Sequence, residues 1–481
     1  MKTWTTTTDL LPWQQRGVEK IRRSRVGGLF MDMGTGKTRT AIELCEHRQN
    51  RISKAVWFCP VSLMETVRYE ILKHTDCVSE DVYLFDEKSR PGRLPGAVWY
   101  VVGIESMGQS DRVTLAVAGL VDKSTFVIVD ESTYIKGHTA KRTLRITRLA
   151  EKAKYRLILT GTPITQGVVD IYAQMRFLSS KILGYNSFYS FAANHLEYSE
   201  NYPGMIVRAH NTDWLAAKIN PYIYQVSKAE CMDLPPKLFD SFYFHMTDQQ
   251  QELYWTAKYE MLVDVPDDEL LESYVIFRLF TALQQIVCGF WNRHENPWKR
   301  SKASAPELIT VPHGRTNMLV RAIEADDADK VVIWANYQHS IGEIRERLRD
   351  EYGATSVAEF HGGIAARERG AQLDAFRGPA RFLLATQATG GHGLTLNEAT
   401  RHIFYSNGFK YSERIQAEDR SHRLGQSSPV TYVDLVCSGS IDERIQNALG
   451  KKEDTLTSFR RDVERYKDKS RSEVREMLRN L

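Results

Sequence analysis

The stretch Asp32-Met33-Gly34-Thr35-Gly36-Lys37-Thr38 gathers the residue types that hold a polyphosphate. Glycines at 34 and 36 let the backbone turn tightly and present its N–H groups. The Lys37 ammonium can reach β- and γ-phosphates, and the Thr38 hydroxyl suits Mg²⁺. The strict phosphate-loop pattern wants a first glycine where Met31 stands, so the match is to a relaxed form of the loop. A second constellation is Asp130-Glu131, which ends the apolar run Phe126-Val127-Ile128-Val129. Beside a nucleotide the first acid can hold the Mg²⁺ shell, and the second can orient the attacking water. Without a cation two carboxylates at a strand end repel each other, which weakens a purely structural reading. Far downstream, Arg420 and Arg423 stand three apart, on one face if that segment is helical. Their planar, permanently charged forks can meet a γ-phosphate; the plain alternative is a solvated basic helix. Near the start, the Gln14 amide can donate to and accept from an adenine edge, against the alternative of a surface glutamine beside a buried tryptophan.

These residues need elements to position them. Gly28-Leu29-Phe30-Met31 followed by Thr40-Ala41-Ile42-Glu43-Leu44 reads as strand, glycine turn, helix. Short β-rich runs recur at 55–59, 98–104, 126–129 and 156–159, and again at 331–335, 381–385, 402–405 and 430–436. Their alternation with helix-like stretches predicts two parallel α/β lobes. Between them, the segment 168–290 turns helical and aromatic-rich. Asp233-Leu234-Pro235-Pro236-Lys237 breaks it, because paired prolines cannot continue a helix, and marks the crossing between lobes. The expected division is a first lobe over 1–230 with a helical insertion near 168–228, and a second lobe over 231–445. The second lobe carries a helical insertion near 248–290 and a basic surface loop at 291–314. Residues 446–481 form a C-terminal amphipathic helix, with Leu456, Phe459, Val463 and Tyr466 as its apolar stripe and a bracing role. Strand ends with small polar groups and backbone donors suit nucleic-acid phosphates: Pro60 and Ser62, Ser106, and the glycine turn Gly390, Gly391 and Gly393. Each is weak alone, and Leu159-Thr160-Gly161-Thr162-Pro163 reads equally as an ordinary turn.

Composition narrows the class. At 481 residues the chain exceeds one ordinary core, and 42% hydrophobic with 26% charged residues describes a globular protein. Lys plus Arg number 64 against 60 acids, a net +4 that is compatible with nucleic acid without requiring it. Six scattered cysteines form no C-x-x-C pair, which argues against a zinc site and a disulfide framework. No apolar run approaches the roughly 18 residues of a membrane helix, and the N-terminus lacks a secretion signal's apolar core, so a cytosolic protein is expected.

Gln14, the loop 32–38, Asp130-Glu131-Ser132, Leu159-Thr160-Gly161-Thr162-Pro163, the turn 390–396 and Gln416…Arg420…Arg423-Leu424-Gly425-Gln426 resemble, in order, the helicase motifs of superfamily 2. Cys59-Pro60-Val61-Ser62-Leu63, Leu234-Pro235-Pro236-Lys237 and Asp419-Arg420-Ser421-His422-Arg423-Leu424-Gly425-Gln426 resemble its Swi/Snf branch. The resemblance implies two RecA-like lobes with helical protrusions and ATP bound between them, with Arg420 and Arg423 as arginine fingers and Gln14 as base reader. It implies double-stranded DNA as partner and ATP-driven translocation along it, usually without strand separation, by a monomeric motor. Three positions depart from the pattern: Thr133 where histidine is common, Thr395 where asparagine is common, and Val67 where tryptophan is common. Little chain flanks the motifs, so a minimal bacterial or phage motor is expected rather than a chromatin remodeller. The rivals are a strand-separating or annealing helicase on DNA or RNA, and an ATP-gated clamp with little turnover.

Overall fold

A computed structural model describes residues 3–161, 163–164, 167–198, 206–263, 265, 273–294, 305–390, 394–456, 458–459, 473 and 476. The chain divides into two compact units, Met1–Asp233 and Leu234–Leu481. The strands of the first are β1 (Val26–Met31), β2 (Lys54–Cys59), β3 (Val82–Leu84), β4 (Trp99–Gly103), β5 (Thr125–Val129), β6 (Tyr155–Thr160), β7 (Leu196–Tyr198), β8 (Ile206–Ala209) and β9 (Ile223–Val226). Seven of them form one sheet in the order β3-β4-β2-β5-β6-β1-β9, every neighbour paired in parallel. Strands β4 and β5 are buried along their whole length. Helices cover both faces of such a sheet, and for that reason its strands read as continuous apolar runs rather than alternating ones. Because all seven run the same way, the segments after Met31, Cys59, Gly103, Val129 and Thr160 leave at one edge. Parallel pairing thus collects motifs that lie more than a hundred residues apart in the chain.

The segment 168–228 is only partly the helical insertion expected. It contains helices Val169–Leu178, Phe188–His195 and Thr212–Ile219, but also the antiparallel pair β7/β8 and the strand β9, which completes the main sheet beside β1. The short run Ile223-Tyr224-Gln225-Val226 has too little periodicity to announce a strand; pairing with Gly28–Met31 decides it.

The second unit holds β10 (Lys237–Phe244), β11 (Phe290–Arg293), β12 (Glu307–Thr310), β13 (Val331–Trp334), β14 (Val357–Phe360), β15 (Phe382–Ala385), β16 (Arg401–Phe404) and β17 (Val430–Cys437). Its six-stranded parallel sheet runs β10-β17-β16-β13-β15-β14. Two parallel-sheet units are the fold class that the sequence predicts. The paired prolines 235 and 236 do interrupt the chain, but β10 begins directly after them. The segment 291–314, expected as a surface loop, carries β11 and β12 as an antiparallel pair at its ends; its residues 295–304 lie outside the described residues.

A fully buried Arg315 staples this unit. It donates to the Tyr405 carbonyl and to the Asp442 carboxylate; burial of the arginine pushes its pKa down, but the Asp442 charge beside it holds the pKa above its ordinary value. Of the expected C-terminal stripe, Phe459 is buried against Phe280, ring centroids 5.4 Å apart, while Val463 and Tyr466 lie outside the described residues. Among the described residues no helix is long and apolar enough to cross a membrane.

Candidate active site

In the first unit the loop 32–36 joins β1 to the helix Lys37–Glu46. Gly34 and Gly36 adopt φ values of 82° and 86°, which residues with a Cβ rarely tolerate. At Gly36 a Cβ would also stand 2.0 Å from Gln14 Nε2. Gln14 is buried, and both ends of its amide are engaged: Oε1 accepts from the Leu11 N–H at 2.9 Å, and Nε2 donates to the Thr35 carbonyl at 3.2 Å. Trp13 Nε1 donates to the same carbonyl at 2.9 Å. The helix Pro12–Ile21 therefore grips the loop from one side. From the other, Asp32 accepts from the Lys228 N–H at 2.9 Å, and its own N–H donates to Val226 at 3.1 Å. The unexpected strand β9 is thus part of what holds the loop.

Lys37 Nζ lies on the carbonyls of Met31 (2.8 Å) and Asp32 (3.4 Å), at the mouth of the loop. Thr38 is half-buried in the first turn of the helix. Asp130 and Glu131 follow β5, both 7% exposed. Burial pushes the Asp130 carboxyl up to about 7, and the adjacent Glu131 charge adds to the shift, while Lys37 opposes it. That opposition places Lys37 within electrostatic reach of Asp130. The Glu131 backbone is left-handed at φ 49° and its N–H donates to Asp130 Oδ1 at 2.9 Å. A non-glycine residue held there costs on the order of 1 kcal/mol, strain typical of residues whose exact aim matters. Ser132 Oγ donates to Gln174 Oε1 at 2.6 Å and anchors the turn that carries both acids. Between β5 and β1 runs β6, whose Gly161 passes close to Met33; Thr162 lies outside the described residues.

At the same sheet edge, Pro60 and Ser62 follow β2 and Ser106 follows β4, its paired neighbour. Ser62 is exposed, Ser106 half-buried and Pro60 buried. One of the donors at this edge is already spoken for, since the Val61 N–H donates to Glu105 Oε2 at 3.1 Å.

In the second unit the arginine pair is not on a helix. The helix Tyr411–Glu418 ends before it, and residues 419–423 form turns. Arg420 is buried, with Nε donating to the Gln416 carbonyl at 3.0 Å and Nη1 to the Leu394 carbonyl at 3.3 Å. Arg423 is half-buried and donates from Nη1 to the same Leu394 carbonyl at 3.3 Å and to Thr395 Oγ1 at 2.8 Å. Both arginines thus grip the segment that follows the glycine turn, and Thr395 is a direct partner of Arg423. Gly390 ends a short helix, Gln387–Gly390, that the sequence does not announce. Gly391 and Gly393 lie outside the described residues.

Residues not singled out by sequence hold this turn. His402 on β16 accepts from Trp334 Nε1 at 3.0 Å through Nδ1 and meets Ser421 Oγ at 2.7 Å through Nε2; Ser421 donates to the Leu396 carbonyl at 2.5 Å. Burial, with Arg414 and Lys237 adding to it, pushes His402 down to about 3. Buried Arg414 donates to Glu418 and Asp434, and Lys237 reaches Glu418 at 3.0 Å and Asp419 at 3.2 Å. The only sequence signal for this network is the density of charge in 410–423, which reads as a solvated face until tertiary structure buries it.

The SNF2-related domain profile matches residues 13–289, and the helicase conserved C-terminal domain matches residues 314–425. An uncharacterized ATP-dependent helicase of Mycoplasma pneumoniae is 24% identical over 470 residues, covering 94% of this chain and 42% of that protein. The mouse DNA annealing helicase and endonuclease ZRANB3 is 24% identical over 468 residues, covering 92% of this chain and 40% of its own. This chain spans less than half the length of these relatives. A solved SWI2/SNF2 ATPase core of Sulfolobus solfataricus in complex with dsDNA is 23% identical, covers 94% of this chain and 92% of its own, and aligns with a TM-score of 0.43. With the SNF2-related match running through more than half of the sequence, and a helicase C-terminal match following it, the chain belongs to the SNF2-related family of helicase-like ATPases.

Proposed function

We propose that this chain is a DNA-dependent ATPase that translocates on double-stranded DNA. The observation that supports it most directly is the convergence of Lys37, buried Asp130 and strained Glu131 beside a glycine loop that Gln14 and Asp32 hold rigid. In this reading the backbone N–H groups of 34–38 and the Lys37 ammonium bind the triphosphate and offset charge as the γ-phosphoryl leaves. Glu131 orients the attacking water. Gln14 braces the loop through Thr35 and Leu11, and the second N–H and second lone pair of its amide remain to meet the adenine edge. Arg420 and Arg423 supply positive charge in the transition state, Arg423 being the less buried of the two.

Mg²⁺ fits the donors present. Among the described residues no group of three or more His, Cys, Asp or Glu could enclose a metal, whereas Mg²⁺ in nucleotide sites needs one or two protein oxygens, the phosphates and water supplying the rest. Thr38 and Asp130 would supply those oxygens, and the bound ion would offset phosphate charge.

DNA as the track is supported by family membership and by the relative named as a DNA annealing helicase. Pro60, Ser62, Ser106 and the glycines of 390–393 are the proposed backbone contacts. The test is the steady-state ATPase rate with no nucleic acid, duplex DNA, single-stranded DNA and RNA. Duplex DNA should stimulate most. Equal rates with and without nucleic acid would remove the motor reading, and stimulation by RNA alone would change the track.

A further inference from the structure

The first unit has a cationic cavity at the sheet edge opposite the glycine loop, where β1 and β6 begin rather than end. The turn before β1 supplies Arg22, Arg23 and Arg25, the C-terminal end of the helix Lys37–Glu46 and the residues after it supply Arg48 and Arg51, and the turn before β6 supplies Lys154. They line a cavity of about 570 Å³ with no carboxylate among the lining residues. The six residues of β1 separate it from Lys37 by roughly 20 Å, so it is not an extension of the nucleotide loop.

A plain explanation covers part of this charge. Arg48 is 4% exposed, and its Nη atoms donate to the carbonyls of Leu44, Ile21 and Ser24, capping two helix C-termini. Its guanidinium also lies over the Phe126 and Tyr155 rings, 5.0 and 5.4 Å from their centroids, and neither role accounts for the other cations around the cavity. Arg48 Nε is buried with no hydrogen-bond partner, and no carboxylate pairs with this guanidinium among the described residues. Burial pushes its pKa down, and the Arg51 charge pushes the same way. Of the other cations only Arg22 has an ion pair among the described residues, to exposed Glu19 at 2.8 Å, a kind of contact that contributes little. Like charges converging on a concave surface raise one another's free energy and concentrate anions there.

We propose that this cavity binds closely spaced phosphoryl groups, at a site separate from that of ATP turnover. The volume suits a small ligand with two or more phosphates. Arginine forks bind phosphate oxygens in pairs, and the exposed Arg22, Arg23, Arg25 and Arg51 present such forks around the cavity. The same chemistry is offered by a free polyphosphate chain or by a nucleic-acid backbone.

The test uses the full chain carrying Lys37→Ala, so that the phosphate loop does not contribute, and measures tripolyphosphate binding by calorimetry. Tripolyphosphate should bind, and adding Arg23→Glu and Arg51→Glu, both exposed side chains, should weaken it by about tenfold or more. Arg23→Lys with Arg51→Lys should restore most of it, and circular dichroism checks folding; if the glutamate pair misfolds, Arg23→Gln with Arg51→Gln replaces it. A short duplex is the second arm. If the backbone is the source, the same substitutions weaken duplex binding and tripolyphosphate competes with it; if a small anion is the source, duplex binding is unaffected. No tripolyphosphate binding by the Lys37→Ala protein, or binding indifferent to the substitutions, overturns the proposal.

Discussion

Lys37, Asp130 and Glu131 differ in what each should cost when changed. Lys37→Ala removes the charge that offsets Asp130 and is proposed to meet the phosphates, and nucleotide binding and turnover should fall together. Glu131→Gln keeps shape and the Ser132 anchor but no longer orients water as an anion; kcat should fall by about 10²–10³ with nucleotide still bound. Steady-state rates beside fluorescent-nucleotide binding separate the two, and equal loss of binding in both variants would contradict the division of roles. His402 sets a different constraint. Its folded pKa of about 3 lies below the unfolded value near 6.5, so below pH 6.5 the unfolded chain binds the extra proton. Stability should therefore be intact above 6.5 and decline by about 1.4 kcal/mol for each unit the pH falls toward 3. Urea unfolding between pH 7 and 5 should show a shallower dependence in His402→Asn, which keeps an acceptor for Trp334 but has no titrating ring.

Elements, rather than single residues, decide how firmly the two arginines are held. Sequence spacing puts Arg420 and Arg423 on one face only if the segment is helical. The helix stops at Glu418, where a charge network of Arg414, Glu418, Asp419, Asp434 and Lys237 ties its end to β10 and β17. The chain then turns so that Arg420 and Arg423 both reach Leu394. Local periodicity carries no information about this, since the partners lie up to 182 residues away. The buried pair Arg315–Asp442 does the same for β17 and the helix Ile441–Gly450. Asp442→Ala would leave the guanidinium buried and uncompensated, at a cost of about 3–5 kcal/mol. Chemical denaturation of the full chain measures it, and a loss under 1 kcal/mol would show that water reaches Arg315.

Across the whole molecule, the two sheets hold separate sets of the residues proposed to act on ATP. Arg423→Ala should lower DNA-stimulated kcat by about 10³-fold or more, as loss of an arginine finger does, with nucleotide affinity retained by the phosphate loop. An ATPase rate within a few-fold of the parent would place the transition-state charge elsewhere. The glycine loop between β1 and its helix, the acid pair at the end of β5 and the two-lobed α/β architecture were legible in the sequence by itself, because glycine turns, continuous apolar strands and paired acids are local features, and locality survives without a partner. Tertiary structure alone decided that 223–226 is a strand bracing the loop, that Gln14, which the sequence assigns to an adenine edge, is also bonded to the loop, and that the arginines sit on a turn. It also gathered six cations of three separate turns into one cavity. Each of these depends on which distant backbone satisfies a buried donor or acceptor, and that is settled by packing rather than by neighbours in the chain.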